Sequence, residues 1–298
     1  MGYGLRERGT PQIDGAACIG CGECVAVCPD RVLQLADGRP RPGAGEFMGC
    51  VACGHCVSVC PTGAISVCGR GMQSDDAREL PPPDRRATAD ALEALLARRR
   101  SVRRFKPVEV PRETLDRLLE MTATAPMGIP PSGVGVVVFH GRQQVRAFAG
   151  DACTVFAKQA RFFNPVVLTL MRPFLGKAGH EAMRDFVRPL LKLLGDKWAA
   201  GADHFTYGAP AALLFHHDAL ADPADCHIAA AYAMLAAESL GLGSCLLGTT
   251  VGLNYAKPLK AKYGIPAANK VGLGMALGYP AVEFRRGVRR RLADVRFM

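Results

Sequence analysis

Cys18-Ile19-Gly20-Cys21-Gly22-Glu23-Cys24-Val25-Ala26-Val27-Cys28-Pro29 is nearly repeated as Cys50-Val51-Ala52-Cys53-Gly54-His55-Cys56-Val57-Ser58-Val59-Cys60-Pro61. Each segment reads C-x2-C-x2-C-x3-C-P. Soft thiolates at this spacing are the ligands that iron–sulfur clusters require. Three closely spaced cysteines wrap one cubane, and the fourth, just before proline, reaches the other. The expected ligand sets are therefore Cys18, Cys21, Cys24 and Cys60 for one [4Fe–4S] cluster, and Cys50, Cys53, Cys56 and Cys28 for a second. Zinc is the competing reading, but it usually takes two separated cysteine pairs rather than four cysteines ending in Cys-Pro.

The spacing is that of bacterial ferredoxins, and residues 1–70 resemble such a module. Residues 71–88 are polar, carry the Pro81–Pro83 run and read as a semi-rigid linker. Residues 89–298 are long enough for a second domain. There, Leu92, Leu95 and Leu96 share one helical face, as do Leu115, Leu118 and Leu119 behind Pro111. The apolar runs Val134–Phe139, Val166–Met171, Ala211–Phe215 and Gly272–Gly278 read as buried strands. Asp222-Pro223 opens an Ala-rich helix that ends at Gly241. Mixed helices and strands make the domain α+β or α/β. Residues 174–198 read as an amphipathic helix that serves as a lid, a dimer contact or a membrane-surface element.

Twelve cysteines and a formal net charge of +10 invite other classes. Met1–Arg8 has no apolar leader core, which argues against a secreted disulfide framework and for a reducing cytoplasm. The most apolar stretch, Ile228–Leu247, is interrupted by Glu238, Ser239 and Ser244, so a buried helix is expected rather than a membrane span. Two clusters with their thiolates remove about four positive charges and a phosphate about two more. No zinc-finger spacing or RNA-binding aromatic motif supports nucleic acid. Cys68, Cys153, Cys226 and Cys245 share no spacing and read as buried small hydrophobes.

Three further boxes carry a second resemblance. Arg99-Arg100-Ser101-Val102-Arg103-Arg104-Phe105 is a basic cluster with a hydroxyl inside it, suited to clamping phosphate. Gly241-Leu242-Gly243-Ser244-Cys245-Leu246-Leu247-Gly248-Thr249 follows the Ala-rich helix. Leu277-Gly278-Tyr279-Pro280 precedes the basic run Arg285–Arg291. In this order and spacing they resemble the nitroreductase family of FMN enzymes, over residues 89–298. The resemblance implies an α+β fold and a homodimer with FMN at the subunit interface. It implies that Arg99, Arg100, Ser101, Arg103 and Arg289 hold the phosphate, ribityl chain and pyrimidine edge, with Arg291 as a possible helper to Arg289. It places Leu247, Gly248 and Thr249 along the isoalloxazine, and it assigns helix 223–240 to the dimer interface. At Ala125–Gly133 only Pro126 keeps the family's pattern, and Pro130, Pro131 and Ser132 replace its polar flavin contacts with an apolar wall. No G-x-G-x-x-G fingerprint opens a βαβ unit.

The expected activity is electron passage from a low-potential donor, reduced ferredoxin or NAD(P)H, through two [4Fe–4S] clusters to FMN and on to a nitro, quinone or enone acceptor. The alternative is an adaptor that relays electrons between proteins. No side-chain acid stands out, and Tyr207, His204 and His180 are the candidates. About 70 residues bury too little apolar surface to offset ordering at about 1.5 kcal/mol per residue. Stripping iron with a chelator should therefore unfold residues 1–70, and a melt of the iron-free protein that keeps a cooperative transition for this segment would contradict it.

Overall fold

The computed structural model describes residues 7–128 and 133–298, so the leader reading over Met1–Arg6 and the wall at Ile129–Ser132 lie outside the described residues. The chain forms two compact units, one drawn mainly from the chain up to Arg86 and the other from Ala87 onward.

The first unit alternates short strands and helices. Strand β1 (Thr10–Ile13) precedes helix α1 (Glu23–Ala26), the hairpin strands β2 (Leu33–Ala36) and β3 (Arg39–Pro42), helix α2 (His55–Val59) and strand β4 (Ile65–Cys68). β1 pairs antiparallel with β4, and β2 with β3. Each helix begins on a glycine in the left-handed region, Gly22 at φ 79° and Gly54 at φ 75°. Only glycine takes that turn without a Cβ penalty, and it redirects the chain between the second and third cysteines of each repeat. The core is small: Cys24, Leu33 and Ile65 form one buried cluster with Ile13, Val25 and Val59 packed on it, and Val32, Val51, Ala64 and Val67 are also buried. Residues 73–88 are exposed throughout and carry one 3-10 turn at Pro83–Arg85.

The second unit starts with α3 (Ala89–Arg98), α4 (Arg112–Thr122) and β5 (Val134–His140). Next come α5 (Arg142–Phe162), α6 (Pro165–Ala182), a π-helical turn at Met183–Val187 and α7 (Arg188–Ala199). β6 (Ala211–His217), α8 (Pro223–Ser239), β7 (Gly243–Leu247), a 3-10 segment (Gly248–Tyr255), α9 (Lys257–Lys262) and β8 (Lys270–Gly278) complete it. The sheet order is β5-β6-β8-β7 with every pair antiparallel. An antiparallel sheet between helices makes the unit α+β.

Alternation along β6 splits the core into two layers. Ala211, Leu213 and Phe215 face α4 and α8 together with Leu273, Met275 and Leu277. Ala212 and Leu214 face α5 and α7, where Phe148, Phe156, Leu191 and Leu194 are buried. α8 buries Ala229, Ala230, Ala233, Ala236 and Ala237 in the first layer. The alanine face of α8 is thus used inside one chain, while Tyr232 on the same helix stays 38% exposed.

Val166–Met171, read as a strand, is the start of α6. The Asn164 side chain accepts from the amides of Val166 and Val167 at 3.0 and 3.1 Å, and Pro165 is the first helical residue. A short apolar run is compatible with either structure, and this cap and proline select the helix. Residues 174–198 are likewise not one helix. Gly176, at φ 67° and ψ 176°, breaks α6 three residues after Pro173, and the π-turn follows.

Three backbone contacts lace the basic segment after α3 into the sheet edge. Ser101 bridges Ser244 in parallel, with the Val102 amide donating to the Ser244 carbonyl at 2.9 Å. Lys106 donates to Tyr279, and Ala281 to Arg104, both at 2.8 Å. The approach leaves no room at Gly243, where a Cβ would stand 2.6 Å from Val102 Cγ2. Gly243→Ala should cost about 1–3 kcal/mol by overpacking, read as a lower urea midpoint for the transition of the second unit.

Candidate cofactor sites

The eight cysteines of the repeats fall into two sets. Cys18, Cys21, Cys24 and Cys60 surround one small cavity. Cys28, Cys50, Cys53 and Cys56 surround another. Each fourth cysteine has therefore crossed to the other repeat's trio. The cause is local: α1 carries Cys24 and leads into Cys28, α2 carries Cys56 and leads into Cys60, and the two helices pack together. Four soft sulfurs around a cavity suit a cubane core, whose irons take thiolate ligands.

Electrostatics points the same way. Burial raises the Cys24 thiol above its ordinary value, and Cys21 and Cys60 add like-charge repulsion. Burial pushes Cys56 up to about 11, with Cys50 and Cys53 contributing. Cys60 goes the other way: against its burial, hydrogen bonds around Thr62 lower it. Of the eight thiols Cys24 is buried, Cys21 exposed and the other six half-buried, and thiolates gathered this closely are stabilised by a cationic centre among them. Backbone amides already aim at sulfur: Val32 N–H donates to Cys28 Sγ at 3.3 Å. At Gly9 a Cβ would lie 2.8 Å from Cys50 Sγ, so this side of the cage also requires glycine.

In the second unit, the lacing of Ser101–Phe105 brings the three boxes together. One cavity of about 650 Å³ is lined by Arg99, Arg100, Ser101, Arg103, Arg289 and Arg290, with Gly287 between the two arms. No carboxylate lines it among the described residues. Such a cradle suits a phosphate monoester, which guanidinium groups can grip bidentately. Arg291 does not line it.

A mainly apolar cavity of about 860 Å³ also has Arg103 in its wall, together with Leu247, Gly248 and Thr249. Arg103 is thus common to both cavities. Its guanidinium lies 5.9 Å from the centroid of the Tyr207 ring. Pro126 lines neither cavity.

Tyr207 has a left-handed backbone, φ 58°, unusual for an aromatic residue. Asp203 imposes it. One carboxylate oxygen accepts from the amides of Phe205 and Thr206 at 2.9 and 2.8 Å; the other accepts from the Thr206 hydroxyl at 2.5 Å and the Gly208 amide at 2.9 Å. Of the proton-donor candidates, the fold brings Tyr207 and His204 to the apolar cavity, and His180 is not in its wall. Asp203 escaped the sequence reading, although an aspartate five residues before a glycine is a recognisable turn signal. Another wall comes from α6 through Met171 and Leu175, from the π-turn through Met183, Phe186 and Val187, and from α7 through Leu190. Residues 174–198 thus serve as a cavity wall, while Leu191 and Leu194 are buried against α5. Among the described residues no helix is long and apolar enough to cross a membrane.

Of the four remaining cysteines, Cys153, Cys226 and Cys245 are buried and Cys68 is half-buried. Burial pushes Cys153 up to about 12 and Cys226 up to about 11. Burial also raises Cys245, although Arg103 beside it pulls the other way.

Comparison with known proteins finds a family for each part of the chain. A model described as the nitroreductase family matches residues 96–279, and one described as a 4Fe-4S dicluster domain matches residues 17–64. None of the curated proteins matches the chain. A nitroreductase with bound FMN from Bacteroides fragilis superposes with a TM-score of 0.54 at 20% identity, covering 71% of this chain and 100% of that one. A nitroreductase with bound FMN from Desulfitobacterium hafniense gives 0.49 at 17%, covering 69% and 97%. The FMN-dependent nitroreductase NfnB from Mycobacterium smegmatis, in complex with NADPH, gives 0.46 at 26%, covering 65% and 89%.

Thiols that titrate this high are nearly unreactive at about pH 8. Iodoacetamide applied to the folded protein should leave Cys153 and Cys226 unmodified, by mass spectrometry, until denaturant is added.

Proposed function

This chain belongs to the nitroreductase family, and from that premise we propose that it is an iron–sulfur flavoprotein oxidoreductase using FMN and two [4Fe–4S] clusters. The observation that carries the reading is Arg103, which stands in the walls of both the arginine-lined cavity and the apolar one. A ligand with a phosphate at one end and a flat conjugated ring at the other matches that pair. When bound, the clusters supply one-electron and FMN two-electron chemistry, so the proposed traffic runs from a low-potential donor, reduced ferredoxin or NAD(P)H, to a nitro, quinone or enone acceptor.

The chain's own residues have separate tasks. Arg99, Arg100, Ser101 and Arg289 bind the phosphate end by charge-assisted hydrogen bonds. Arg103 sets positive charge at the junction, and Tyr207 orients it through the face of its ring. Leu247, Gly248 and Thr249 support the ring system. Asp203 keeps Tyr207 and His204 at the cavity, where either can donate a hydrogen bond to an acceptor oxygen. The aliphatic wall from α6 and α7 excludes water. Pro126 is proposed to act from the second copy of a homodimer in the cytoplasm. Cys18, Cys21, Cys24 and Cys60 hold one cluster, and Cys50, Cys53, Cys56 and Cys28 the other.

Two measurements test this. Arg99→Ala and Ser101→Ala should each weaken FMN binding, by about ten- to a hundredfold for Arg99, with iron content unchanged; full flavin in both variants would remove the phosphate assignment. The anaerobically reduced protein, offered nitroaromatics, quinones and enones, should be reoxidised with formation of reduced product. Exchange with carrier proteins alone would replace the enzyme by an adaptor.

A further inference from the structure

A second cavity, of about 780 Å³, adjoins the apolar cavity at the C-terminal part of α5. None of the residues assigned to FMN lines it. The two cavities share Gln159, Phe163, Met171 and Tyr255 as wall residues, so a single partition divides them. That partition is built from three elements: α5, α6 and the 3-10 segment. Gln159 is fixed in it by donating to the Gly252 carbonyl at 2.6 Å. Beyond the partition, Val155, Phe162, Pro258 and Leu259 give the second cavity its apolar surface. Its one carboxylate, Asp151, is already engaged, accepting from Lys262 Nζ and from the Tyr263 hydroxyl, both at 2.5 Å.

Pockets for small organic ligands run from about 300 to 1,000 Å³. Each of these cavities reaches that size by itself. A single-ring acceptor would leave the second one unused. We propose that the two form one site for an extended acceptor, whose conjugated head occupies the cavity beside Arg103 and whose apolar tail passes the Phe163–Met171 partition into the second cavity. The inference rests on the flavin reading above and names the acceptor class for that site. Two lysines also line the second cavity, Lys262 paired with Asp151 and Lys158 exposed on α5, where its ammonium can stay in water while its methylenes line the wall. The tail is unbranched or lightly branched hydrocarbon, because the cavity's apolar wall offers it contact and the engaged Asp151 offers no recognition of a cation.

The test is equilibrium dialysis of the holoprotein against naphthoquinones carrying methyl to decyl tails. Affinity should rise about two- to fourfold per added methylene until the second cavity is full. Thr154 lines the second cavity but not the first and is exposed on α5, so Thr154→Trp puts an indole into the path of a tail at little risk to folding. It should weaken the decyl compound about tenfold or more and leave the methyl compound within about twofold. Phe162→Asp, at a side chain 62% exposed, should weaken the long tails likewise by placing a charge in their path. Circular dichroism and FMN content verify both folds. A series flat in tail length overturns the inference. So does a length dependence that both variants leave intact, since that is unspecific partitioning. Dialysis needs no turnover: a steep series on protein that holds no FMN would sink the oxidoreductase reading alone, and a flat series on FMN-loaded protein would sink this inference alone.

Discussion

The hydrogen bond from the Val102 amide to the Ser244 carbonyl, made over a glycine with no space for a methyl group, organises the second unit's site. Through it, a segment distant in sequence from β7 becomes an extra edge contact of the sheet. Arg99, Arg100 and Ser101 are carried to one side of that contact and Arg103 to the junction of two cavities. The Lys106–Tyr279 and Ala281–Arg104 bonds then hold the start of the C-terminal segment alongside, so Arg289 and Arg290 meet the same cavity. A cluster of arginines repels itself, and side-chain contacts alone would not hold it. Backbone hydrogen bonds and close packing do so without neutralising the charge, which remains available to an anion.

The first unit answers a different constraint. Its buried hydrophobic residues are Cys24, Val32, Leu33, Val51, Ala64, Ile65 and Val67, mostly small side chains and too few to hold the chain by apolar burial. The same short helices that place the cysteines also make the contact between the repeats. Ligand geometry and fold are therefore one property here, and the thiol sets cross between repeats because α1 and α2 pack on each other.

Much of this was legible because it is local. Cysteine spacing, the apolar strands at Val134–Phe139, Ala211–Phe215 and Gly272–Gly278, and the helix opened by Pro223 are set by residues within a turn or a strand of each other. Where local signals were ambiguous, the reading failed. Val166–Met171 has strand composition, but Asn164 and Pro165 outside it select a helix. The packing of the α8 alanines against β6 and β8 could not be read from composition, because an apolar helix face does not name what it packs on. Asp203 passed unnoticed because its importance lies in four hydrogen bonds that hold Tyr207 at a costly φ.

By itself the amino-acid sequence determined the chemistry of the ligands: eight thiolates at cluster spacing and a set of arginines suited to an anion. Those follow from side-chain identity and short separations, which no packing can alter. The tertiary structure alone decided which boxes meet, that Arg103 joins an anion cavity to an apolar one, and that a second cavity lies behind Phe163 and Met171. Cavities are the space left between elements far apart in the chain. Their volume and connection depend on helix breaks such as Gly176 and on close approaches such as Gly243, whose effects appear only once the sheet and its helices are assembled.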